Sequence, residues 1–141
     1  MKPELKKLIN KFNDNQKQEV EKLMNTENDK YLINYSILAI ALGDDLVYGD
    51  ASMIKEFYNV DDLSVLNHVD IIIAKVITTL SNKLNRDIKA EYESALVLDK
   101  SQPELTYLTK VVEEYLGWNK NIPILNGDLI SLSDIIYKWS Q

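Results

Sequence analysis

Apolar positions divide the chain into helix-sized blocks, and the densest block is Tyr31–Leu42, YLINYSILAIAL. At about 100° per residue its apolar side chains surround nearly the whole circumference, interrupted only by Asn34 and Ser36. A helix of this kind has to be enclosed by others, so it is the expected centre of the domain. Asn28 or Asp29 can cap its start, and Gly43 can adopt the left-handed conformation that ends it.

Upstream, Leu5, Leu8, Ile9, Phe12, Val20, Leu23 and Met24 fall on one stripe of a helix from Pro3 to about Asn25. Asn13-Asp14-Asn15 is its weak point, because these side chains cap better than they propagate. These residues could split the segment into two shorter helices; one helix, with any kink placed there, is the expectation. Downstream, GDDLVYGD reads as a loop, and Asp50 can cap a short helix through Met53, Ile54, Phe57 and Tyr58 that ends at Asn59. A long helix is expected from Asp61 or Asp62 to about Leu84, with Leu63, Val65, Leu66, Val69, Ile72, Ile73, Val76, Ile77 and Leu80 on its apolar arc.

Ile88, Tyr92, Ala95 and Leu96 mark another helix from about Arg86. Ser101-Gln102-Pro103-Glu104 reads as a capping box opening a helix that closes at Gly117. Near the end, Asn126-Gly127 lies between two short apolar runs in 122–132, the signature of a hairpin, followed by a short helix from Ser133 through Trp139. The expected fold is therefore mainly α: a single compact, bundle-like domain over 1–141 with five to six helices, to which a small C-terminal β-hairpin can be added.

Composition narrows the function classes. With no cysteine among 141 residues, thiolate chemistry, disulfides and cysteine metal sites are excluded. No apolar run approaches the roughly 20 residues of a membrane span, and the first twenty residues do not read as a signal peptide, so a soluble, cytoplasmic protein is expected. The net charge of −6 is unevenly distributed: residues 43–62 alone carry −5, from Asp44, Asp45, Asp50, Glu56, Asp61 and Asp62 against Lys55. No basic stripe is present to neutralise phosphates, which argues against direct nucleic-acid binding and against an anionic membrane surface.

Candidate chemistry is sparse. His68, the only histidine, lies off the apolar arc near Lys75 and Thr79 and is expected to be exposed. Asp70 interrupts a heptad stripe and is expected at a boundary, reaching water or a capping partner. Asp45 to Glu56 has the length of an EF-hand loop, but Val47, Gly49 and Asp50 stand where ligands and the turn glycine belong. Glycines at 43, 49, 117 and 127 form no phosphate loop, and no three acids share a helix face. No catalytic, cofactor or metal site is expected.

What remains is the acidic segment with its aromatics. Asp44, Asp45, Tyr48, Asp50, Glu56, Tyr58, Asp61 and Asp62 are the expected contact set for a basic protein partner, since opposite charge speeds association and tyrosine supplies anchor area. This points to a non-enzymatic binding module of the acidic inhibitor or immunity type, directed at a toxin, nuclease or defence effector. One rival is a small-molecule-binding or metal-dependent hydrolytic protein, with a pocket lined by Tyr35, Tyr92, Tyr107 or Tyr115. Another is a self-associating regulator or adaptor, a homo-oligomer using Ile71, Trp118 or Trp139.

Overall fold

A computed structural model describes residues 3–98 and 103–120, and this part of the chain is mainly helical. Seven α-helices and two 3₁₀ turns are present among the described residues, with no strand. They are α1 (Pro3–Ile9), α2 (Asp14–Thr26), α3 (Lys30–Leu42), α4 (Ala51–Tyr58), α5 (His68–Leu84), α6 (Ile88–Leu98) and α7 (Pro103–Lys120). The 3₁₀ turns are Gly43–Asp45 and Leu63–Val65. The expected hairpin over 122–132, the helix after it, Trp139 and the cap at Ser101 lie outside the described residues, as does the side chain of Trp118.

The all-round apolar helix is α3, and it occupies the centre. It packs against α5, α7, α2 and α1. Tyr35, Ile37 and Leu38 are fully buried, joined from α5 by Val76 and Leu80 and from α7 by Leu105, Leu108 and Val112. The Asp29 carboxylate accepts from the amides of Tyr31 and Leu32, and Gly43 ends the helix at φ 57°.

Two expected boundaries are corrected by local hydrogen bonding. The N-terminal segment is two helices. Asn13 has an extended backbone, its side chain accepts from Gln16 N at 2.8 Å, and Gln16 Oε1 accepts from Asn13 N at 3.0 Å. This reciprocal capping box satisfies donors that a continuous helix would bond internally, so the chain turns between α1 and α2. Likewise the helix expected from Asp61 or Asp62 starts at His68, because Asn67 and Asp70 form a second box, with bonds of 2.9 and 3.0 Å. Leu63, Val65 and Leu66 therefore leave the core arc, and Val65 is 67% exposed.

The third correction concerns Gly117, which does not close its helix. It is buried inside α7, which continues to Lys120. A glycine costs only about 1 kcal/mol inside a helix, a loss that packing can offset.

Candidate docking surface

The acidic segment forms the connection from α3 to α5 and includes α4. It is attached to α5 at two points, once through its backbone and once through a side chain. Val47 N donates to Thr79 Oγ1 at 2.9 Å, and Tyr58 Oη donates to the Asp70 carbonyl at 2.6 Å. Thr79, on the side of α5 that also carries Lys75, is thus fully buried rather than solvated. Gly49, at φ 73°, lies against Lys75: an added Cβ would sit 2.8 Å from Lys75 Cγ. Residues 70 and 79 are about 13 Å apart along a helix that rises ~1.5 Å per residue, so the segment passes along α5 from Val47 at Thr79, through Gly49 at Lys75, to Tyr58 at Asp70.

That placement separates the acids. Asp44, Asp45 and Asp50 precede or open α4, whereas Asp61 and Asp62 follow its end. Several of the eight candidate residues also have internal partners. The Asp50 carboxylate accepts from Met53 N at 2.8 Å and caps α4. Asp62 accepts from Ser64 N at 2.9 Å, and the bonds at Ser64 hold its carboxyl below the ordinary carboxylate value. Asp45 Oδ2 accepts from Tyr115 Oη at 2.5 Å, and burial together with this bond pushes the Tyr115 phenol up. Tyr58 faces inward, and burial raises its phenol too. Asp44, Tyr48, Glu56 and Asp61 are exposed, Tyr48 at 91%.

Two lysines of neighbouring helices border this surface, Lys75 of α5 at Gly49 and Lys89 of α6 at Phe57. Lys89 of α6 donates to the Phe57 carbonyl at 2.5 Å and stands 4.7 Å from the Phe57 ring centroid. It thereby complements the negative end of α4, where Asn59 takes the left-handed conformation.

Asp44 and Asp45 also border a cleft of about 450 Å³, closed by Asn13, Asn15, Gln16 and Glu19 of the α2 region, the end of α3 and Leu116. Two of its lining residues are bonded to each other: Gln16 Nε2 donates to the Ile40 carbonyl at 3.1 Å. Glu19 and Gln16 were not among the residues expected here. Only the packing of α2 on α3 brings them beside Asp44, and no sequence spacing signals it.

The tyrosines proposed to line one pocket occupy three places. Tyr35 is fully buried with Tyr31 and Tyr92 around its hydroxyl, and burial raises its phenol. Tyr107 lies beside Glu91 near Arg86, which bonds Glu91 at 2.7 Å and Glu114 at 3.3 Å. Tyr115 is on Asp45. His68 is exposed in the first turn of α5, Asp70 serves as a cap, and Ile71 is half-buried.

Among the described residues no group of three or more His, Asp or Glu side chains is placed to hold a metal ion. No described helix is long and apolar enough to cross a membrane. The chain matches no protein-family model, no curated protein and no solved structure.

Proposed function

We propose that this protein is a binding module of the acidic inhibitor or immunity type, acting in the cytoplasm, which docks on a basic protein through the connection between α3 and α5. The observation that carries this reading is the exposure of Asp44, Tyr48, Glu56 and Asp61 on a segment tied to α5 through the Val47 amide and the Tyr58 hydroxyl. Side chains free of internal roles on a fixed backbone lose little freedom on association, and a negative surface steers a positive partner. Asp45, Asp50, Tyr58 and Asp62 support the surface through their internal bonds, and the charges of the three acids add to its field.

The test is affinity capture from the native host's lysate at low and moderate salt. Wild type is compared with a variant carrying Asp44→Lys, Glu56→Lys and Asp61→Lys. A basic protein retained by wild type, weakened by salt and lost in the variant is the expected result. Equal retention by both would return the segment to a solvated connection.

A further inference from the structure

We propose that Glu113 of α7 is a proton-operated clasp for α1: with its carboxyl protonated α1 closes firmly on α7, and with its carboxylate charged α1 opens more readily. The inference is independent of the docking function proposed above. Residues 4, 7 and 11 follow helical spacing along the α1 segment, and all three are half-buried, whereas Lys6 and Asn10 are exposed. This half-buried face, Glu4, Lys7 and Lys11, is the one that acts on Glu113 across the α1–α7 contact. Lys110, one turn earlier on α7, is the other charged group acting on it; among the described residues α3, α5 and α6 contribute none. Glu114, on the next position, is turned instead to Arg86.

Glu113 Oε1 is enclosed and accepts no hydrogen bond from the described residues, and Glu113 joins none of their ion pairs. A charged carboxylate held this way loses hydration that no bond replaces, whereas the neutral carboxyl loses far less. Burial accordingly pushes the Glu113 carboxyl above the ordinary carboxylate value, against the opposing pull of Lys11 and Lys7. A raised value in the fold means that its contribution to stability is complete below the ordinary value and is lost as pH rises through the raised one. The helix that can respond is α1. It has seven residues, and the Asn13–Gln16 box closes the start of α2 without it, so α1 can leave while α2 stays wound. Leu5 and Leu8, fully buried, would be uncovered with it.

The test is amide hydrogen exchange of the full chain at pH 5 and pH 7, expressed as protection relative to unstructured peptide. The reporters are the amides of Asn10, Lys11 and Phe12, which donate to the carbonyls of Lys6, Leu8 and Ile9. They should be less protected than Ile37 and Leu38 of α3, and their protection should rise several-fold from pH 7 to pH 5. Glu113→Gln should give the higher protection already at pH 7 and remove the rise, while Glu114→Gln should keep it. Unchanged far-ultraviolet circular dichroism establishes that each variant is folded. A rise that persists in Glu113→Gln, or protection that falls on acidification, overturns the clasp. Equal protection in α1 and α3 overturns it too, because α1 would then open only with the whole fold.

Discussion

Along α3, Tyr35, Ile37 and Leu38 are fully buried, whereas across residues 43–66 the single buried side chain is Ile54. Both regions are ordered by backbone caps, yet they are stabilised differently. The α3 region depends on contact with α1, α2, α5 and α7, so its side chains are committed to the interior. The 43–66 region depends on short-range bonds: Asp50 to Met53, Asp62 to Ser64, and the left-handed Asn59, with two ties to α5. The difference shows how a fixed backbone can present side chains without burying them. Asp44, Tyr48, Glu56 and Asp61 stay exposed while neighbouring residues hold the chain in place.

The strongest way to break this comparison is substitution in each region. Leu38→Ala removes a fully buried side chain and should cost about 2–5 kcal/mol in urea unfolding, whereas Tyr48→Ala should stay within about 0.5 kcal/mol. Comparable losses at the two sites would show that Tyr48 is part of the core. Gly49→Ala comes next, at roughly 1–2 kcal/mol, because φ 73° strains any residue with a Cβ.

Asp50→Ala and Asn67→Ala should each lose about 1 kcal/mol by removing a cap. Two-dimensional NMR should place the shift changes for Asp50→Ala at the start of α4; changes spread through α3 would contradict local stabilisation. Tyr115→Phe should cost about 0.5–1.5 kcal/mol, since the bond it loses is to a carboxylate that solvent screens. An unchanged midpoint would mean that this bond adds nothing.

The smallest expected effect is alkaline. Burial, reinforced by Glu91, pushes Tyr107 from 10.0 up to about 12 in the fold. Its neutral form is favoured in the folded state, so its contribution is complete below pH 10 and is lost as pH rises through about 12. Tyr107→Phe should flatten that part of the stability–pH curve; an identical alkaline slope would remove Tyr107 from the account.

Much of the fold was legible because its signals are local. Asp29 and Gly43 bound α3 as read, Asp50 and Asn59 bound α4, and Asp70 has the capping role its boundary position suggested. The two misplaced helix boundaries are informative. A stripe from Leu5 to Met24 is continuous on a helical wheel, but Asn13 and Gln16 satisfy each other's backbone donors and turn the chain. The same competition at Asn67 and Asp70 shortens α5. In both places periodicity was outweighed by side-chain to backbone bonding.

The sequence by itself determined the helical character, the central position of the 31–42 block and the concentration of charge in 43–62. Each follows from residue type and spacing along one stretch of chain. Tertiary structure alone decided that Thr79 is covered by the Val47 loop, that Tyr115 meets Asp45, and that Gln16 reaches Ile40. These pairings join residues 24 to 70 positions apart, and such separations are fixed by how helices pack rather than by any local period.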